Sequence, residues 1–530
     1  MQNNSSRLRW VIAGGVLFSL FFYHENIAVN LAMFNLFILA AFFYLYADAR
    51  QNTAVRWLAL GHLTCLAMVV LHNTDLSILA SWATLWLTVS YGMYVHRSPL
   101  YAGVSAAANF ILSPYLLVVS FFSLSKKGMK KRRITGRIIR FMLFPAALLL
   151  IFTIVYAVGN SAFQDVFEKV AMKVERILNY LFQTLSWGRF GLLLPGLLLS
   201  AGLLVRRKSS FFSDLESKKT DNLQRKRISW VERSHNILYN LLETFMGKLT
   251  TGMMALKNEN ITGLISLGLL NLLLLVVNFL DVSNLWFGYE NVKSNMLVKL
   301  LHDGTGILIF SIVLAMAVLM FFFKGNLNFY SKNKWLKYGA YLWILQNAVL
   351  VVSVFLRDYY YIQHYGLAHK RLGVLFFLAM VIVGLFTVYV KIRNRKTNYY
   401  LLRVNSTAAV VLLVLSTTVH WDELIARYNL SRRATVPVDM NFLLSLSNKT
   451  IPLLEKNITA FDNALPANKH DSSVNDAFLQ KDFYQYDTIE NFKRRLKNKE
   501  QRFLEEQAKF TWLSWNYADH YVKQYLAYLP

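Results

Sequence analysis

From its first residues to about residue 420, the chain alternates long stretches free of Asp, Glu, Lys and Arg with short polar interruptions. About 20 consecutive apolar residues suffice for an α-helix to cross the hydrocarbon core of a membrane. Backbone groups in lipid find no water to bond, so continuous apolar runs of this length must be helices. Eleven spans are expected, at 10–23, 27–47, 57–72, 76–95, 139–158, 188–205, 260–281, 303–323, 336–356, 372–390 and 401–419. Arg7 and Arg9 precede the first run, as they would in a secretory signal. A signal would continue into small residues and a polar domain. Here His24-Glu25-Asn26 leads straight into the second run, so the two runs read as a tight helical hairpin.

One more stretch, Leu100 to Phe122, is long enough to span, but Arg97 precedes it and eight Lys and Arg residues crowd 126–140 behind it. Basic loops stay on the cytoplasmic side. A simple crossing would strand one basic flank outside, so 98–122 is expected to be re-entrant or interfacial. With that choice the N-terminus is cytoplasmic and the C-terminus extracytoplasmic. Inside segments then hold 33 Lys and Arg, against nine in the outer loops before residue 420.

The expected organisation is an all-α, polytopic transmembrane helical bundle with a small C-terminal extracytoplasmic helical domain. Residues 1–97 supply four spans in hairpins. Residues 98–140 hold the re-entrant or interfacial segment and a basic cytoplasmic loop. Residues 141–205 give two spans around an outer amphipathic helix in 159–187, and 206–257 form a basic, amphipathic cytoplasmic loop. Five spans follow in 258–420. The region 421–530 has no spanning run; helices are expected near 438–464 and 474–528, with aromatic residues such as Trp512, Trp515 and Tyr521 for a small core.

Charge and composition narrow the function classes. Of 530 residues, 55% are hydrophobic and 16% charged, well below the roughly 25% charged of an ordinary soluble domain. The net charge of +27 invites a nucleic-acid partner. Its concentration in loops between spans assigns it instead to membrane orientation, and no nucleic acid is expected. The single cysteine, Cys65, lies inside a span and excludes an intramolecular disulfide or a cysteine-based metal site. No phosphate-cradling G-x-x-x-x-G-K-[ST] and no G-x-S-x-G nucleophile elbow occurs. No cofactor or metal is assigned, and the catalytic residues, if any, are unknown.

Candidate chemistry gathers at the expected outer ends of the spans. His24, His72, His302, His364, His369 and His420 fall there, with acidic and basic residues at the same level. The candidate outer-face cluster is His302, Asp303, Arg357, Asp358, Tyr361, Tyr365, His369, Arg371 and Arg427. Such a rim can bind a ligand or lipid headgroup, or pair internally to fix loops. Within the spans, Gln346 and Asn347 are candidate polar contacts, either bonding helix to helix or touching a substrate.

The segment Asp358 to Leu372, DYYYIQHYGLAHKRL, resembles the Y-I-x-x-Y-G-L-T-x-x-R-L signature of a bacterial membrane family, domain of unknown function 4173. Tyr361, Ile362, Tyr365, Gly366, Leu367, Arg371 and Leu372 match, while Ala368 stands in place of Thr. His302-Asp303-Gly304 is similar to that family's H-E-G element, Ile425 to Leu430 to its closing element, and Trp512 to Asn516 to its terminal tryptophan motif. The resemblance implies a bacterial inner-membrane protein and brings no established activity. The residues themselves suggest a latch, in which Arg371 pairs with Asp303 or Asp358 and Tyr361 or Tyr365 closes a neighbouring loop.

These features are expected of a non-enzymatic envelope scaffold, sensor or assembly partner, embedded in the lipid bilayer and meeting an envelope protein. The alternative is a transporter or lipid-handling protein, and a second alternative is a membrane-embedded enzyme.

Overall fold

A computed structural model describes residues 4–124, 145, 149, 153, 163–164, 166–170, 172–173, 187–207, 210–225, 255–286, 305–323, 325–433, 438–458 and 489–528. Every regular element among them is helical; one isolated antiparallel bridge joins Asn222 to Lys396. The first elements are α1 (Asn4–Phe22), α2 (Val29–Leu45), α3 (Thr53–Leu71), α4 (Asp75–Met93), α5 (Pro99–Ile111), α6 (Ser113–Leu124), α7 (Trp187–Leu204) and α8 (Phe211–Ser217). There follow α9 (Ala255–Asp281), α10 (Thr305–Phe322), α11 (Lys334–Tyr365), α12 (His369–Arg393) and α13 (Asn398–Ser416). The last are α14 (Trp421–Ser431), α15 (Met440–Ser445), α16 (Ile451–Lys456), α17 (Ile489–Gln507) and α18 (Tyr517–Ala527).

Among the described residues, six helices are long and apolar enough to cross a membrane: α3, α4, α9, α11, α12 and α13. Shorter apolar helices coincide with α2, α7 and α10, and α1 covers the expected first span. The expected span at 139–158 and the amphipathic helix expected in 159–187 lie, apart from scattered positions, outside the described residues, as do residues 226–254 with the amphipathic part of the 206–257 loop. The segment 98–122 forms two helices, α5 and α6, that meet at Leu112.

The chain divides into two units: Met1–Arg97, Tyr101–Glu216 and Glu506–His520 in the first, Ser98–Leu100, Ser217–Glu505 and Tyr521–Pro530 in the second.

In the first unit, α1 and α7 pack through small residues. A Cβ at Gly196 would lie 2.6 Å from the Phe18 Cβ and 3.0 Å from the Gly15 carbonyl oxygen. Small residues let membrane helices approach closely where no hydrophobic force drives them together. The α1–α2 turn is set by Asn30, whose side chain accepts from Ala28 N at 2.7 Å and donates to the Phe21 and Asn26 carbonyls. Helix α4 opens on a capping box of Thr74 and Ser77, which satisfies two otherwise orphaned donors. Its buried face carries Ser81, Thr84 and Thr88, each bonding a carbonyl one turn back, and Thr84 also meets His62 Nδ1 at 3.1 Å.

The two ends of α1 differ. Near Arg7 the ends of α2, α4 and α7 supply Tyr46, Tyr94 and Arg206. At the other end, the α1–α2 turn holds the segment Thr511–Trp515. Glu25 accepts from the Thr511 amide and hydroxyl and from the Ser514 hydroxyl, while Val29 N donates to the Trp515 carbonyl at 3.2 Å. Since α1 is about 28 Å long at 1.5 Å per residue, this contact is separated from Arg7 by a membrane-scale distance.

In the second unit, α9 to α12 surround an apolar core that includes Leu267, Ile312, Leu319, Leu336, Val354 and Leu385. Polar side chains join α9 to α11: Gln346 Nε2 donates to Asn271 Oδ1 at 2.9 Å, Asn271 Nδ2 to the Gly339 carbonyl at 3.0 Å, and Asn278 Nδ2 to the Gln346 carbonyl at 3.0 Å. Asn347 bonds its own helix, at the Trp343 carbonyl. Lys391, near the end of α12, is buried and donates to the Phe323 carbonyl just past the C-terminus of α10, where the helix dipole favours a cation.

The helical region after α13 is built on a second apolar cluster. Ile425, Ala426 and Leu430 from α14, Leu443 from α15, Leu454 from α16, and Phe492 and Leu496 from α17 enclose it, and Ile362, Leu367 and Leu372 of the α11–α12 turn belong to the same cluster. Of the segment 438–464, where a helix is expected, the described part 438–458 forms α15, a 3-10 turn at Asn448–Thr450, and α16, and 459–464 lie outside the described residues. Asp439 caps α15 by accepting from Phe442 N, Leu446 is extended, and Pro452 stands in the first turn of α16, where its missing N–H costs nothing.

Candidate functional site

The polar end of α11 and α12 in the second unit contains most of the sequence-predicted cluster. Arg357 and Asp358 sit in the last turns of α11 and are buried. Arg357 Nη2 pairs with Asp281 Oδ1 at the end of α9. Asp358 Oδ2 is buried with no hydrogen-bond partner among the described residues. One turn on, the Tyr361 and Tyr365 rings lie 4.8 Å apart, and the Arg371 guanidinium rests over Tyr361 at 4.3 Å from its centroid.

Arg371 also donates through Nη1 to the Tyr365 and Gly366 carbonyls. It thus occupies the C-terminus of α11, where free carbonyls attract a cation. Gly366 ends the helix at φ +76°, a conformation that costs glycine little. The next residue is clamped: Asn429 Oδ1 accepts from Leu367 N at 2.6 Å, and its Nδ2 donates to the Leu367 carbonyl at 2.9 Å. Beside this clamp Arg432 donates to Gln363 Oε1 and, at 3.1 Å, to the Tyr428 hydroxyl.

His369 opens α12 and meets Asp422 Oδ1 at 2.7 Å through Nε2. The other Asp422 oxygen accepts from Ser447 N at 3.0 Å. Burial of the Asp422 carboxyl opposes its charge, but the Ser447 and His369 hydrogen bonds outweigh this and hold its pKa below the usual carboxylate value. Lys499 caps the chain nearby, donating to the Leu444 and Leu446 carbonyls; burial lowers its pKa to about 8, against the raising effect of Asp422.

Arg427 stands apart. It pairs with Glu423 one turn back at 2.7 Å, with 71% of its side chain exposed. His302 and Asp303 lie outside the described residues. The structure therefore brings together Asp358, Tyr361, Tyr365 and Arg371, joins Arg357 to Asp281 and His369 to Asp422, and leaves Arg427 on a separate face. Gln346 and Asn347 lie deeper on α11 and make the helix–helix and backbone bonds described above. Among the described residues no three His, Cys, Asp or Glu side chains are placed to hold a metal ion. Sequence reasoning overlooked Glu25 and Lys391; the signal for Glu25 was its position as the lone acid between the first two apolar runs.

The chain matches a domain of unknown function (DUF4153) over residues 12–457. It belongs to this family. The match corrects the resemblance to domain of unknown function 4173 drawn from Tyr361, Gly366, Leu367 and Arg371. The physical basis of that resemblance is a tight helix–helix turn at a polar boundary. Such a turn calls for a positive-φ glycine, an apolar residue to bury, and an arginine for the free carbonyls, so a short match of these types is weak evidence of kinship. The similar Trp512 to Asn516 segment lies beyond the DUF4153 match altogether. No curated protein and no solved structure matches the chain.

A carboxyl pair next to this region yields a pH prediction. Burial raises the Glu500 pKa to about 7, helped by repulsion from and hydrogen bonding with Glu455. The fold therefore favours the protonated form. Its stabilising contribution is fully present below the ordinary value of 4.5 and is lost as pH rises to about 7. Hydrogen exchange of α16 and α17 is expected to show greater protection at pH 5 than at pH 8, and Glu500→Gln is expected to flatten that difference. An equally steep profile in the variant rules out Glu500 as its origin.

Proposed function

We propose that this DUF4153 chain is a bacterial inner-membrane protein that acts as an envelope scaffold or assembly partner, with its N-terminus cytoplasmic and residues 421–530 extracytoplasmic. The observation that carries this reading is the shared apolar cluster of the α11–α12 turn and helices α14 to α17. It gives the helical region a fixed registration on membrane helices, as a docking platform requires. The excess of Lys and Arg in the assigned inner segments supports the orientation, as does the distance along α1 between Arg7 and the Glu25 contact with Thr511.

The bilayer is one partner in this reading and an envelope protein the other. Crosslinking in intact cells, followed by purification in mild detergent, should recover a reproducible protein that contacts 421–530. Recovery of none across crosslinkers of several lengths counts against the scaffold. Cysteine labelling should find position 470 accessible from outside and position 130 only after permeabilisation. Reversal of both results inverts the orientation without affecting the fold.

A lipid-handling role is the second reading. It draws on an open groove of about 450 Å³ between α9 and α11, lined by Leu264, Leu267, Gly268, Trp335 and Leu342 and touching Asn271. Photoactivatable acyl chains should crosslink to this groove if it carries lipid, and crosslinking spread evenly over the exposed apolar surface would remove the reading.

A further inference from the structure

At the end of the first unit that holds Arg7, four helix ends bring three arginines onto two tyrosine rings. Tyr46, which closes α2, donates its hydroxyl to the Leu204 carbonyl at 3.0 Å and accepts from Arg206 N at 3.2 Å. Tyr94, which closes α4, donates to Asn109 Oδ1 at 3.2 Å and accepts from Arg207 N at 2.9 Å. Both hydroxyls are thus committed, and the rings present their faces. The Arg7 guanidinium lies 5.6 Å from the Tyr46 centroid, and those of Arg206 and Arg207 lie 5.6 Å and 5.7 Å from that of Tyr94.

Among the described residues no carboxylate pairs with Arg7 or Arg206, and Arg7 Nε is buried without a hydrogen-bond partner. The nearby buried acid, Glu216, is already engaged by His96 and the Arg97 amide. A guanidinium stacked on a ring face uses its own face and keeps its in-plane N–H groups for an anion, and its fork matches two phosphate oxygens.

We propose that this arginine–tyrosine cluster binds the phosphate of an acidic phospholipid. The lipid source follows from what adjoins the charges. One turn along α1 from Arg7, Trp10 packs with Phe37 and Tyr44, each at 5.5 Å, and exposed Ile12, Val16, Leu36 and Tyr44 continue the apolar surface along α1 and α2. A headgroup at Arg7 and Arg206 would place its acyl chains along that surface, with the aromatic shelf at the boundary where such rings concentrate. Basic pockets between membrane helices bind acidic headgroups by this chemistry. The inference holds for either orientation of the chain and does not rest on the scaffold reading.

The test uses the full chain, purified and reconstituted into nanodiscs of phosphatidylglycerol mixed with phosphatidylethanolamine, then released into detergent for native mass spectrometry. The wild type should retain phosphatidylglycerol above its share of the bilayer. Arg7→Gln/Arg206→Gln should lower that retention about thirtyfold, the equivalent of the contribution of two basic residues near an anionic surface. The exposed control pair Lys218→Gln/Arg225→Gln removes the same charge and should leave retention unchanged. Equal retention in the arginine variant, or an equal loss in the control, overturns the site. Thermal stabilisation of delipidated protein by inorganic phosphate, abolished by the arginine variant and absent with phosphatidylglycerol, overturns the lipid as its ligand. Should the double variant not fold, the wild type alone decides: no enrichment of phosphatidylglycerol over its bilayer fraction refutes the proposal.

Discussion

Arg357→Ala is expected to destabilise the protein by about 3–5 kcal/mol, the usual cost of removing one member of a buried ion pair. Both partners qualify, with side-chain exposures of 7% for Arg357 and 11% for Asp281. The loss comes mainly from the Asp281 carboxylate left behind at the end of α9, since a charge kept from water without its partner has no inexpensive state except protonation. A second substitution separates this origin from lost packing. Asp281→Ala/Arg357→Ala removes the stranded charge and should recover a large part of the loss, whereas a packing defect would deepen. Thermal unfolding of the detergent-solubilised chain is the measurement. A double variant no more stable than Arg357→Ala refutes the ion-pair account, and an unchanged unfolding temperature in the single variant refutes burial itself.

The helices were legible because the membrane leaves an apolar run of that length few alternatives. Their ends were less so. The expected span 336–356 stops where charge begins, yet α11 continues to Tyr365. Arg357 and Asp358 read as loop residues in sequence because their helical environment is supplied from elsewhere, by Asp281 76 residues away and by the charge of Arg371. The helix broken within 438–458 has a similar explanation. Its apolar residues suit a helix, but Asp422 draws the Ser447 amide out of line, a long-range contact that local periodicity does not encode.

In the candidate site, residue type was readable and pairing was not. Tyrosine, arginine and histidine at the ends of apolar runs marked a polar rim. Which of them meet depends on helix rotation. Arg427 and Asn429 are two residues apart on α14, about 200° around a helix of 3.6 residues per turn. Asn429 therefore faces the α11–α12 turn while Arg427 faces solvent and Glu423. Of the two carboxylates expected to pair with Arg371, Asp303 lies outside the described residues and Asp358 feels the charge of Arg371, while Arg371 also holds the Tyr365 and Gly366 carbonyls and rests on the Tyr361 ring. A backbone carbonyl has no identity in the sequence, so only the glycine beside it gave a clue.

That glycine is the basis of the second large effect. Gly366→Ala is expected to cost on the order of 3 kcal/mol, from backbone strain and damage to the Asn429 clamp together. At φ +76° and ψ −179° the backbone lies in a region almost reserved for glycine. A Cβ there would come within 2.5 Å of Asn429 Oδ1, the atom that receives the Leu367 amide. Asn429→Ala alone leaves the buried Leu367 amide and carbonyl without that partner, at about 1–3 kcal/mol. Because one side chain is responsible for both the bond and the clash, the two substitutions should not add. Gly366→Ala/Asn429→Ala should lose less than the sum of its parts, since the clash disappears with the amide while the backbone strain stays. Thermal unfolding gives the energies, and the rate of proteolysis within 438–458 reports whether helices α14 to α16 have come away from the turn. Faster cleavage in both single variants is the expected result. Additive losses would show that Asn429 and Gly366 act independently, and the turn would then owe its position to the apolar cluster of Leu367, Ile425 and Leu430 alone.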